Sequence, residues 1–430
     1  MVNTNKKIAA GLLALTFVFG GAVLPSGVVG NSVVASASAE KLTYGNFTYT
    51  MLEDGTIEIS KYTGSETAVE IPDEINGVAV TSIGVNAFGS FKNLENVIFP
   101  KKLRSIGFAA FCGCDSLKEI SFPKGLKTIG YASFAQCSSL KKVDLPDSLE
   151  TIEGNAFSLC RNLESISFPD NLKYIGETAF ASCEKFNVIM VPDSVETIED
   201  TAFAGCNNLE YITLPKNLMT ISSSLFGGCT KLKTVVIPDG VTNICEYAFA
   251  GCNSLENISI PESVISIGKE AFRDCNTLGS VFIPASVTDI GEDAFSYSVP
   301  ETKTLKSLSN ITLYIHKDSV AKQYALENSI NFRVVDIEGK TRYPEISSVM
   351  HSADYHQFLV SWSSVSGAEK YGIAVQLAGK WRVQLYSNTP VITSPRLNPG
   401  DTYKLLIAAK VNGEWDLSNI NSRAFTVTVK

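Results

Sequence analysis

The chain has 430 residues, room for two or three domains of ordinary size. With 45% hydrophobic and 19% charged residues it is no disordered or collagen-like polymer. The net charge of −8 is unevenly placed, +2 over residues 1–39, −12 over 40–342 and +2 over 343–430. An acidic middle with no basic stripe argues against nucleic acid as a partner, because phosphates demand clustered Lys and Arg. Only three His occur, at 316, 351 and 356, which leaves little for His-based catalysis.

Taken in chain order, Lys6 and Lys7 precede an uncharged apolar run from Ile8 to Val23, and Ala37-Ser38-Ala39 stands before Glu40. This is the pattern of a signal peptide over residues 1–39 with export of the remainder. No Cys lies in residues 1–111, so no thiol near the cleavage site can take a lipid anchor. No membrane-spanning segment is expected once the signal is removed. Residues 40–77 read as an N-terminal β cap, with strands at Phe47–Met51 and Thr56–Ser60 about an Asp54-Gly55 turn.

From residue 78 to 299 a period of 23 residues runs without insertion for ten turns. Phe recurs at 88, 111, 134, 157, 180, 203, 226, 249, 272 and 295, and Ile holds a column from 83 to 290 at the same spacing. Pro recurs from 100 to 284, and Cys at 114, 137, 160, 183, 206, 229, 252 and 275. Four columns in phase describe a solenoid, one coil per period. In the coil that starts at Ser116, Leu117, Ile120 and Phe122 line a half-buried strand that Pro123 ends, since proline cannot donate to a ladder. Leu126 and Ile129 form a second short buried face. Phe134 and Cys137, three apart, have the spacing of a helical or 3₁₀ turn that drops both into the core. Stacking ten coils at about 4.8 Å gives a β-rich solenoid roughly 45–50 Å long.

The cysteine column lies within Cα reach of disulfides, yet parallel Cβ vectors would distort alternate coils on pairing, so buried free thiols are expected. Cys112 and Cys114 form C-x-C without a nearby His, which is no zinc site, and Cys245 is the column-breaking thiol expected to be exposed. The strand positions two and four before each Pro alternate with core residues and so face outward. In the middle coils these are Val188, Met190, Tyr211, Thr213 and Val236, a less polar patch of the composition that protein partners favour, with polar coils on its N-terminal side. A neutral ladder of β-formers is the competing reading of the same residues.

Residues 300–337 read as the C-terminal cap, with a strand at Ile311–Ile315, a helix from Ser319 to Asn328 and closure by Phe332 to Val335. Polar residues 338–344 serve as a linker. Residues 345–430 carry short strands, including Phe358–Trp362, Tyr371–Leu377 and Tyr403–Ala409, separated by turn signals, as a β-sandwich requires. No G-x-S-x-G, H-E-x-x-H or P-loop motif occurs, His351 and His356 read as solvated residues of a sandwich loop, and no enzyme activity, cofactor or metal is expected.

The pattern L-x-x-I-x-hydrophobic-P-x-x-L-x-x-I-G-x-x-A-F-x-x-C resembles the BspA-like, or treponemal, class of leucine-rich repeats. The likeness covers residues 78–299 and departs from the pattern at Phe186, Ser133, Leu225 and Cys245. It implies a right-handed stack of about ten coils with caps and a place among secreted and surface proteins of bacteria, several of them adhesins. The last module is similar to a fibronectin type III domain, through Trp362 and the stretch Leu397 to Tyr403 that leads to a tyrosine corner. The sequence therefore points to a secreted, extracellular or wall-associated binding protein that presents a solenoid face to a host matrix protein or another cell's surface. A polysaccharide or cell-wall ligand, or a stalk that displays the sandwich, are the alternatives.

Overall fold

The computed structural model describes residues 40–334 and 344–429, apart from 300–301, 303, 309, 345, 353–355, 363–364, 366–367, 378–379, 412 and 416–422. The signal peptide and all but the last residue of the linker lie outside the described residues. Each 23-residue unit makes one coil with two short parallel strands. The first face carries the three-residue strands that precede each Pro, such as Glu119–Ser121 and Lys142–Asp144, paired in register as Glu119 to Lys142 and Ile120 to Val143. The second face carries two-residue strands such as Thr128–Ile129 and Thr151–Ile152. With the caps included, the solenoid has about twelve turns.

The third side of each coil is made of single i→i+3 turns and not of a continuous helix. Phe134 and Cys137 enter the core through successive turns of this kind: Ala135 N–H to Ala132 O at 3.1 Å, then Cys137 N–H to Phe134 O at 3.3 Å. The intervening N–H groups reach the next coil, as Phe134 does to Ala156 at 2.9 Å and Gln136 to Ser158 at 2.8 Å. This alternation needs left-handed residues, and they recur with the period: Ala109, Ala132, Asn155, Thr178, Thr201, Ser224, Tyr247, Glu270 and others hold φ of 50–57°. A helix cannot contain them. The chain accepts the local strain because each such turn lets one backbone group bond within its coil and the next bond across coils.

The core is a set of rows. All ten column phenylalanines are buried, and consecutive rings stack 4.7–6.4 Å apart from Phe88 to Phe295. Each ring contributes about 1.5–3 kcal/mol by leaving water and about 0.5–1.5 kcal/mol more through its ring neighbours. The row ends in tyrosines. Tyr62 stacks on Phe88 at 5.2 Å, and Tyr324 meets Phe295 edge-on at 6.2 Å while its Oη accepts the Phe295 N–H at 3.2 Å. A phenol suits a row end because its ring continues the core while its hydroxyl meets polar groups.

The cysteine row is buried and its thiols are free. Each Sγ–H donates to the carbonyl of the Phe one coil earlier, Cys137 to Phe111 at 3.3 Å, and the same bond recurs from Cys114 to Cys275 at 3.1–3.3 Å. The thiol is small enough for the crowded core and still gives that carbonyl a second donor. Burial pushes the Cys114 thiol up to about 12 and those of Cys137, Cys183, Cys206 and Cys252 well above the usual range. Cys245, expected to be exposed, is half-buried, as is Cys112. The glycines after the second-face strands allow close coil contact: a Cβ at Gly268 would sit 2.5 Å from the Glu246 amide nitrogen.

At the N-terminal end Phe47–Met51 and Ile57–Tyr62 pair antiparallel, and Ile57–Tyr62 then runs parallel to Val78–Ile83 at the start of the second face. At the other end lie Thr312–Ile315, the helix Val320–Glu327 and Asn331–Val334. Ser319 stands at the helix start, but its Oγ bonds the His316 carbonyl at 2.8 Å instead of capping the helix. A hairpin of Ser296–Val299 with Thr304–Ser307 precedes these elements.

The C-terminal module packs two antiparallel sheets. One joins Ile346–Ser352, Gln357–Trp362 and Val391–Thr393, and the other joins Lys380–Ser387, Ala368–Leu377, Thr402–Val411, Glu414–Trp415 and Phe425–Thr428. Trp362, Tyr371, Ile373, Leu405 and Ile407 meet between them. The Tyr403 hydroxyl donates to the Asp401 carboxylate at 3.2 Å, whereas a tyrosine corner bonds the backbone upstream. His351 lies on a strand, not in a loop, and both His351 and His356 are half-buried.

Candidate functional site

The outward columns of the first face change character along the solenoid. Glu119, Ser121, Lys142 and Asp144 are exposed, as strand alternation predicts. Three coils further on, Val188–Met190, Tyr211–Thr213 and Thr234–Val236 lie side by side, with Val188, Tyr211 and Thr234 in one row and Met190 and Thr213 in the next. Val188, Met190, Thr213 and Val236 are half-buried. All five candidate residues thus lie on one face of the solenoid.

Tyr211 corrects the expectation of an exposed ring: it is 1% exposed. Strand alternation sets the face from which a side chain leaves, not the depth to which water reaches it. Val188 and Thr234 flank Tyr211 in register on the neighbouring strands, about 4.8 Å to either side. The Tyr211 Oη has no hydrogen-bond partner among the described residues, and burial holds the phenol well above its usual range, so it stays protonated. Leaving a buried hydroxyl unmatched costs about 1–3 kcal/mol. Thr213 also has an internal role, since its Oγ1 accepts the Val191 N–H at 3.1 Å. Val188, Met190 and Val236 are left as the accessible apolar members of the patch.

Two features escaped the sequence reading. Phe282, 38% exposed at the C-terminal end of the same face, meets the His316 ring edge-on at 5.5 Å. Its column was identified, but the partner comes from the cap, 34 residues on. The second is a charged knot in the left-handed turns. The Glu270 carboxylate, 3% exposed, accepts from Arg273 at 2.6 Å and from the Tyr247 hydroxyl at 3.3 Å, and Arg273 lies 5.6 Å from the Tyr247 ring centre. Lys269 adds a bond to Glu292 at 2.7 Å. The knot ties neighbouring coils together; its guanidinium is held between the Glu270 and Asp274 carboxylates, at 2.6 and 3.3 Å. Among the described residues no group of three or more His, Cys, Asp or Glu is placed to hold a metal ion. Among them, too, no helix is long and apolar enough to cross a membrane.

Set beside known proteins, the coils are of a described kind. The BspA type leucine rich repeat region matches residues 81–209 and 173–302, in six copies and over just more than half of the chain. Similar solved structures include a leucine-rich repeat protein from Bacteroides ovatus, 26% identical, covering 69% of this chain and all of that one with a TM-score of 0.41. The Treponema pallidum leucine rich repeat protein is 26% identical, covering 56% of this chain and 91% of its own at a TM-score of 0.34. The pneumococcal vaccine antigen PcpA is 18% identical, covering 70% and 100% at 0.39. No curated protein matches the chain. The buried Leu, Ile, Phe and Cys rows and the matched repeats together make this chain a member of the BspA type leucine-rich repeat family.

Proposed function

We propose that the chain is an exported bacterial surface or extracellular protein whose solenoid holds a macromolecular partner, a host matrix protein or another cell's surface, at the coils that carry Val188, Met190, Thr213 and Val236. The observation that carries this reading is the switch on the first face from charged, exposed rows at Glu119 and Lys142 to apolar, half-buried rows at Val188, Met190 and Val236. Apolar surface framed by polar rows is where protein partners gain most from leaving water. Lys6, Lys7, the apolar run from Ile8 to Val23 and Ala37-Ser38-Ala39 support export. Tyr211 acts from beneath, as the ring on which the accessible residues rest.

The test is binding of the full chain to immobilised matrix proteins, mucin and glycans. Saturable binding to a matrix protein is expected, weakened at least tenfold by Met190→Glu and unchanged by Met219→Glu on the second face. Equal binding by both variants, or binding to glycans alone that Met190→Glu leaves intact, contradicts the proposal.

A further inference from the structure

Outer faces of β-sandwiches are ordinarily polar, because alternate residues of each strand stand in water. The larger sheet of the C-terminal module is different. Its register sets Trp381 beside Gln376, Val383 beside Ala374 and Tyr386 beside Gly372, with Ala408 and Lys410 on the other flank and Trp415 beyond Lys410. Their row neighbours Tyr371 and Ile373 point into the core, so these residues belong to the outer surface. Two of the chain's three tryptophans therefore stand on one outer face, and the third, Trp362, is in the core.

The rings lie over small residues. A Cβ on Gly372 would fall 3.0 Å from the Trp415 ring and 3.6 Å from Val383, so the missing side chain is what lets the indole lie across the sheet. Ala374 and Ala408 are buried beside it. Trp415 and Tyr386 are 5.9 Å apart with their planes 35° from parallel, and Tyr386 remains 59% exposed. The Lys370 ammonium sits 4.7 Å above the Tyr386 ring, and Lys410 is its cross-strand neighbour. Residues 343–430 hold eight Lys and Arg against six Asp and Glu, in a chain whose residues 40–342 carry −12.

We propose that this face is a second binding site, independent of the solenoid patch, and that its ligand is an acidic polysaccharide. Sugar rings present C–H bonds with partial positive charge that stack on the negative faces of aromatic rings. Trp415 and Tyr386 form a two-ring platform for consecutive sugars, and Lys370 stands at its end to receive a carboxylate, while Lys410 beside it is paired with Glu369 at 3.6 Å. A neutral glucan meets the rings without Lys370. A proline-rich peptide, the other usual guest of aromatic surfaces, would leave the Lys370 ammonium without a carboxylate.

The experiment titrates the full chain with polygalacturonate, a neutral β-glucan and a polyproline peptide, following tryptophan fluorescence and retention in affinity electrophoresis. The expected result is saturable binding of polygalacturonate with a fluorescence change, weakened at least tenfold by Tyr386→Ala and by Trp415→Ala. Lys370→Ala and added salt weaken it, and Met190→Glu in the solenoid leaves it unchanged. Tyr386 is exposed, so its variant keeps the test sound if Trp415→Ala fails to fold. Absence of polygalacturonate binding overturns the proposal, as does binding that Tyr386→Ala leaves intact. Preference for the neutral glucan or for the peptide overturns it equally.

Discussion

The solenoid and the sandwich are both built of strands, but they solve the problem of burial in opposite ways. In the solenoid Phe meets Phe and Cys follows Cys, each row joining residues 23 positions apart. In the sandwich Trp362 meets Tyr371, and Ile373 faces Ile407, with no row of one residue type repeated at a fixed spacing among the described residues. Repetition makes stability a sum over neighbouring coils, and it multiplies any property of a single residue by the number of coils. The sandwich has no such multiplier. The difference can be measured.

The largest expected effect is alkaline. The thiols of Cys114, Cys137, Cys160, Cys183, Cys206, Cys252 and Cys275 are all held above their usual range by burial. An acid whose folded value is raised contributes its full stability below its unfolded value, near 9, and loses it as pH climbs toward the folded one. Each thiol then costs about 1.4 kcal/mol at pH 10, so the seven together cost about 10 kcal/mol. Denaturant melts from pH 8 to 10.5 should show the solenoid transition collapse above pH 9. The sandwich transition should hold, since residues 343–430 contain no Cys. Parallel decline of both transitions would remove the distinction.

Next come core truncations. Phe180→Ala opens the middle of the ring row and should cost about 3–5 kcal/mol in the solenoid transition alone, while Trp362→Ala should cost a similar amount in the sandwich transition alone. Calorimetry of the two variants separates them. A smaller effect is expected at the charged knot, where Arg273→Ala strands the buried Glu270 carboxylate and should cost about 3 kcal/mol. Glu270→Gln should cost less, because the amide keeps an acceptor for Arg273. Urea denaturation ranks the pair, and the reverse order would mean that Arg273 acts through packing on Tyr247.

What could be read from the sequence follows the same divide. The Phe, Ile, Pro and Cys columns were legible because every coil places them in the same surroundings, so one coil explains all. The turn geometry was not. Ala132 and Gln136 carry no mark of left-handed backbone, a conformation imposed by the bonds each coil makes to the next. Tyr211 was read for its face and not for its depth, which strand alternation does not set. Glu270 and Arg273 were invisible as a pair because their third member, Tyr247, belongs to the previous coil. In the sandwich the inner core could be anticipated from alternation. The outer platform could not, because Trp381, Tyr386 and Trp415 share a face only once the register of three strands is known.

The central claim, that the middle coils of the first face meet the partner, is tested most directly by oxidative footprinting of the full chain with and without bound matrix protein. Met190 is the reporter on that face and Met219, 59% exposed on the second face, is the internal control. Protection of Met190 with Met219 still oxidised at its free rate is the predicted result. Oxidation of Met190 at an unchanged rate, with protection confined to residues of the sandwich, would contradict the claim and leave the solenoid as a stalk.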